Sequence, residues 1–194
     1  RELGALARPQ VWLTLGIGAI GFGGMFAVFS YIKPTLIEVA GLSIDAMPLA
    51  LALFGIGMVV GNLLGSRLAD KSLKGTIAGL LVWNAVVLGS FAFMAGHAAM
   101  AAISVFLIGT IVAIAPALQI RLMDVAGEAQ TLSAALNHSA FNIANALGAW
   151  LGGVAIAAGL GWTSTGWVGT LLALGGMAVF AVSIWWDRRA GRRS

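Results

Sequence analysis

Cysteine is absent from the 194 residues, which excludes a disulfide framework and any metal or redox site built on thiolates. Charge is nearly as scarce. Asp, Glu, Lys and Arg make up 9% of the chain, against about 25% in soluble domains. So few charges cannot cover a water-facing surface, and with 60% of residues hydrophobic the apolar excess is expected to face lipid. No polar stretch is long enough to hide a soluble domain. An initiating methionine is lacking too, and the run from Arg1 to Arg8 has no apolar core of the signal-peptide kind. We therefore expect a piece of a longer polypeptide.

The few ionisable residues punctuate long silent runs. Between Arg8 and Lys33 lie 24 residues without charge, and between Asp45 and Arg67 lie 21. A helix of 24 residues is about 36 Å long, enough to cross a hydrocarbon core of about 30 Å. Between Lys74 and Arg121 lie 46 residues with only His97 inside, and between Glu128 and Asp187 lie 58 with only His138 inside. Each of these fits two helices, the first pair turning at Gly96-His97 and the second broken between Gly159 and Gly166. The sequence thus predicts an all-α membrane protein, a single six-helix bundle with spans at 11–33, 46–68, 75–95, 99–121, 131–157 and 166–186. The runs are continuously apolar and lack two-residue alternation, so helices are preferred to a barrel.

Six spans put both termini on one side. That side holds Arg1, Arg8, Arg67, Lys71, Lys74, Arg121, Arg188, Arg189, Arg192 and Arg193, and the other holds Lys33 alone. Basic residues favour the cytoplasmic face, so both termini are expected in the cytoplasm. Trp12, Trp162, Trp167, Trp185 and Trp186 fall near span ends, where indoles favour the interface. Trp83 and Trp150 lie deeper, where packing is expected.

Glycine is plentiful where charge is not. Gly57, Gly61 and Gly65 repeat every four residues on the second span, and Gly148 and Gly152 do so on the fifth. This spacing lines one helix face with small residues and lets another backbone approach. It fits static packing or helices that rock against each other. Gly16 to Gly21 fits G-x-G-x-x-G, but a dinucleotide site needs a preceding strand and a water-accessible helix N-terminus. Inside a membrane span it has neither.

The connection between spans two and three reads Ser66-Arg67-Leu68-Ala69-Asp70-Lys71-Ser72-Leu73-Lys74-Gly75. It resembles the signature loop of the major facilitator superfamily, roughly G-x-L-A-D-R-x-G-R-K. Leu68, Ala69, Asp70, Lys71 and Lys74 match, while Ser66, Leu73 and Gly75 depart from it. The run Phe141-Asn142-Ile143-Ala144-Asn145-Ala146-Leu147-Gly148-Ala149-Trp150-Leu151-Gly152-Gly153 is similar to helix 11 of arabinose-efflux-permease-like members of the drug:proton antiporter group. Pro116 to Met123 fits the end of their helix 10. The resemblance covers the whole chain as helices 7–12, the C-terminal half of a twelve-helix fold. It implies two inverted three-helix repeats, a missing N-terminal half, and rocking about a central cavity. It further implies a bacterial inner-membrane protein that exports a small organic solute (a sugar, drug or metabolite), with protons as counter-ion.

On that resemblance Asp70, with Arg67, Lys71 and Lys74, belongs to a gating loop that meets the neighbouring bundle. The alternative is a set of solvated charges that only anchors topology. On the fifth span Asn137, His138, Asn142 and Asn145 bring polar groups to membrane depth, and 138, 142 and 145 share a face. Such groups need a partner helix or a water-filled cavity. Asn142 is the deepest candidate, and His138 is a candidate proton carrier two turns from the cytoplasmic end. Phe26 and Phe29 belong to an aromatic stripe on span one, packed or lipid-facing by default and bordering the cavity by resemblance. Gln119 and Asn62 are further lining candidates, and Pro116 is expected to kink span four.

No Asp, Glu, Lys or Arg lies near the middle of a span, so a coupling acid is expected in the missing half. No catalytic residue, cofactor, metal site or nucleic-acid partner is expected. An intramembrane serine protease would need Ser43 of Gly41-Leu42-Ser43 to meet a histidine, yet His97 and His138 fall on opposite sides of the membrane. A six-helix module that does not transport, or that pairs with itself through its glycine faces, remains the alternative to half a carrier.

Overall fold

Continuous apolar sequence in hydrocarbon must satisfy its backbone hydrogen bonds within each segment, and the helix does so. The structure, a computed structural model, describes residues 2–192; Arg1 and Arg193, counted above with the basic side, lie outside them. Among the described residues six helices are long and apolar enough to cross a membrane: α1 Pro9–Phe29, α2 Ile44–Lys71, α3 Leu73–Met94, α4 Ala98–Ala126, α5 Gln130–Ala157 and α6 Ser164–Gly191. No strand occurs among the described residues.

Proline decides where two of the helices bend. Pro34 cannot donate to the carbonyl of residue 30, and its ring crowds that carbonyl. The first span therefore stops at Phe29, three residues beyond which a separate helix, Ile32–Glu38, begins. Pro116 stands in the same relation to Val112, and α4 tightens into a 3-10 turn at Ile111–Ala113. In α1 the wider π-helical segment Ile17–Gly21 falls in the glycine-rich stretch, with no proline nearby. At the loop between α2 and α3, Ser72 leaves helical conformation and its Oγ accepts from the Gly75 N–H at 3.1 Å, capping α3. Gly127, at φ +67°, ends α4, and Arg8 donates to the Val125 carbonyl there at 3.0 Å.

The glycine stripes set the helix pairing. A Cβ at Gly61 would stand 2.5 Å from the Thr110 carbonyl oxygen, and one at Gly57 would collide with the Phe106 carbonyl, so α2 lies backbone to backbone on α4. Gly148 meets the Gly23 carbonyl and Gly152 the Ala27 carbonyl, so α5 lies on α1 in the same way. Gly21 and Gly24 of α1 face Gly176 and Gly169 of α6, and α3 also packs on both α6 and α4. Exchanging α1 with α4, α2 with α5 and α3 with α6 returns the same set of pairings. That is the packing signature of two inverted three-helix repeats. The two helices that each repeat packs around, α1 and α4, are the most enclosed. Ile17, Leu81, Leu88, Phe91, Ile114 and Leu118 fill the centre.

Candidate functional site

The exposed surface of α5 divides by chemistry. His138, Asn142 and Asn145 lie along one flank, and Ile143, Trp150 and Val154 along another. At about 3.6 residues per turn these flanks are roughly a third of a turn apart. The buried face between them, with Asn137, Ala144, Gly148 and Gly152, packs inward. Trp150, expected to pack, is 65% exposed.

None of His138, Asn142 and Asn145 makes a hydrogen bond among the described residues, and neither do Asn62 of α2, which is exposed, and Gln119 of α4, which is half-buried. An amide left unpaired in hydrocarbon costs about 2–7 kcal/mol. This flank therefore suits contact with water or another protein surface and not with lipid tails. Phe26 and Phe29 are half-buried and packed within the bundle. Phe22 stands edge-on to Phe26 and to Phe141, with centroids 5.2 and 5.1 Å apart, and Phe29 stacks on Phe54 at 4.6 Å.

The loop residues separate into two groups. Arg67, Asp70 and Lys71 are exposed and form no ion pair among the described residues. Lys74 instead reaches Asp187 at 2.8 Å. Asp187 is the centre of a network that joins four helices. Its Oδ2 also accepts from the guanidinium of Arg121 at 2.7 Å, and its Oδ1 from the Gln10 amide at 2.6 Å. The Ser183 hydroxyl donates to Gln10 Oε1 at 2.6 Å, and the Gln10 amide donates to the Ser183 carbonyl at 2.8 Å. Arg121, read from sequence only as a topology marker, is buried, and its Nε has no partner.

A second polar group missed from sequence is Asn84, fully buried in the middle of α3. Its amide points at the carbonyl of Gly21, at the end of the π-helical segment, 3.5 Å away, and its Oδ1 has no partner. As the only amide side chain in an apolar helix it could have been singled out by type alone. The Asp187 network could not, because its members are scattered along the chain. At the opposite end of the bundle Tyr31 donates to the Ala149 carbonyl at 2.6 Å, and Trp162 donates to Glu38 at 2.8 Å. Among the described residues no group of three His, Asp or Glu side chains is placed to hold a metal ion.

Comparison with known proteins agrees in kind. Residues 6–194 match the Major Facilitator Superfamily. The chain is 40% identical over 183 residues to the "Inner membrane transport protein YdhP" of Escherichia coli K12, covering 94% of this chain and 46% of that protein. It is 30% identical over 197 residues to the "Uncharacterized MFS-type transporter YtbD" of Bacillus subtilis 168, covering 99% of this chain and 48% of that one. Over 86 residues it is 37% identical to the "Purine ribonucleoside efflux pump NepI" of Shigella sonnei, covering 43% of this chain and 22% of the pump. The chain spans about half the length of the first of these relatives.

Proposed function

The chain belongs to the Major Facilitator Superfamily, and from that membership we propose that it works as one six-helix half of an inner-membrane transporter that exports a small organic solute. The observation that carries this reading is the flank of His138, Asn142 and Asn145, polar, exposed and unpaired in a helix of membrane-spanning length. A water-filled passage shared with a second six-helix half removes that cost. Gln119 and Asn62 add polar lining, and Phe26 and Phe29 border it with apolar surface suited to an amphipathic solute.

Alternating access supplies the mechanism. The glycine contacts of α2 on α4 and of α5 on α1 let these pairs move as stiff units, while Asp70 of the loop remains free to meet the other half. The basic side, with both termini, faces the cytoplasm on the positive-inside rule. Protons are the proposed counter-ion, with the carboxylate that carries them outside this chain.

Everted membrane vesicles containing the complete protein provide the test. With a labelled purine ribonucleoside as first probe, and sugars and drug-like cations after it, a proton gradient should drive uptake that a protonophore abolishes. Uptake that the protonophore leaves unchanged removes proton coupling. A complete protein that moves none of the probes, and that sediments as a homodimer of six-helix chains, favours the self-associating module.

A further inference from the structure

A groove of about 530 Å³ opens between α2 and α3, floored by the 3-10 turn of α4, a volume in the range of ligand sites. It extends from Lys71 and Ser72 at the loop to Gly61 on α2 and Trp83 on α3. Ten residues of helix from Lys71 to Gly61 span about 15 Å, which is half of a hydrocarbon core of about 30 Å. The groove is thus as deep as one leaflet and opens at that leaflet's polar surface.

Its walls ask for an apolar occupant. The Trp83 indole N–H is already given to Thr110 Oγ1 at 2.8 Å, Thr110 donates to the Leu107 carbonyl, and Thr76 donates to the Ser72 carbonyl at 2.7 Å. What remains is Leu64, Leu68 and Leu80, the bare backbone at Gly79, and at the mouth the Ser72 hydroxyl hydrogen and one cation. That cation, Lys71, forms no ion pair among the described residues. On α2, at about 100° per residue, Leu64 and Lys71 lie on one flank of the Gly57-Gly61-Gly65 stripe and Asn62 lies on the other. The groove therefore opens away from the polar side of α2, towards lipid.

We propose that this groove is a binding site for one anionic phospholipid of the leaflet on the side of the termini, with an acyl chain between α2 and α3 and the phosphate on Lys71. An apolar slot of leaflet depth with a single cation at its mouth matches that molecule in length, polarity and charge. A soluble phosphate uses only the mouth, and a zwitterionic lipid brings to its phosphate a cation of its own that competes with Lys71. The proposal concerns the bilayer and not the cargo, so it stands or falls separately from transport.

The test is photolabelling of the complete protein in vesicles, with a diazirine on the acyl chain of phosphatidylglycerol or phosphatidylcholine and peptide mapping of the product. Phosphatidylglycerol should label the stretch from Leu64 to Trp83 in preference to other exposed helix surface, and phosphatidylcholine should do so several-fold less. Lys71→Gln should cut the phosphatidylglycerol yield there about fivefold and leave phosphatidylcholine unchanged. A Cβ at Gly79 meets nothing within 4 Å, so Gly79→Leu should fill the slot without disturbing the chain and abolish labelling by both lipids. Three results would overturn the proposal: equal labelling by the two lipids, labelling spread evenly over all exposed helices, or no labelling in the groove, as when another protein segment covers it. Undiminished labelling in Gly79→Leu, with an unchanged melting temperature, would do the same.

Discussion

Asp187 ties four helices together at one point, because Lys74, Arg121 and Gln10 reach it from three other helices. Asp187→Asn keeps the shape and removes the charge, which leaves the Arg121 guanidinium buried without a counter-ion. Removing one partner of a buried ion pair costs about 3–5 kcal/mol. The Asp187 side chain is 26% exposed, so about 2–3 kcal/mol is expected once water screening is allowed for. Lys74→Gln removes the half-exposed partner and should cost under about 1 kcal/mol. Thermal unfolding in detergent checks the order; equal midpoints for the two variants would mean that Asp187 is no hub. Little of this was legible beforehand. In the sequence Asp187 marks the end of a span and Arg121 marks a side of the membrane. Only folding brings positions 10, 74, 121, 183 and 187 to one point. By contrast Asp70 and Lys71 stood out because they sit side by side in a short loop whose pattern has a known parallel.

At the scale of the helix the spacing of small residues carried real information, since a four-residue repeat of glycine can only line one face. Gly61 and Gly55 share α2 but meet different surroundings. A Cβ at Gly61 falls 2.5 Å from a backbone oxygen and 2.7 Å from the Thr110 Cα, whereas one at Gly55 finds nothing within 4 Å. Gly61→Ala should therefore force α2 off α4 and cost about 1–3 kcal/mol. Gly55→Ala should be neutral or gain up to about 1 kcal/mol from helix propensity. Melting of the two variants in the same detergent measures the difference, and a tolerated Gly61→Ala would show that the helices are not in backbone contact. The bends at Pro34 and Pro116 follow from ring geometry and were readable in principle, though only the second was anticipated. The π-helical segment at Ile17–Gly21 was not readable, because glycine permits it without demanding it.

For the whole molecule the question is which exposed surface meets lipid and which meets protein or water, and α5 offers the sharpest contrast. His138, Asn142 and Asn145 take one flank; Ile143, Trp150 and Val154 take the other. The sequence identified the polar flank by its i, i+4, i+7 spacing. It left open whether those amides pair within the bundle, because that depends on which face the Gly148-Gly152 contact turns inward. With that contact facing α1, the amides face out. Absence of cysteine from the chain makes this testable with single cysteines and no background from these residues. In the complete protein, with any cysteines elsewhere removed, Asn142→Cys and Asn145→Cys should react with a water-soluble, membrane-impermeant maleimide. Trp150→Cys and Val154→Cys should react poorly with it and readily with a lipid-soluble reagent. If the two halves rock about a shared passage, an exported solute should also change the rate at Asn142→Cys and leave that at Val154→Cys alone. Equal reactivity on both flanks would mean that α5 separates no passage from the bilayer, and half a carrier would then be the wrong description of this bundle.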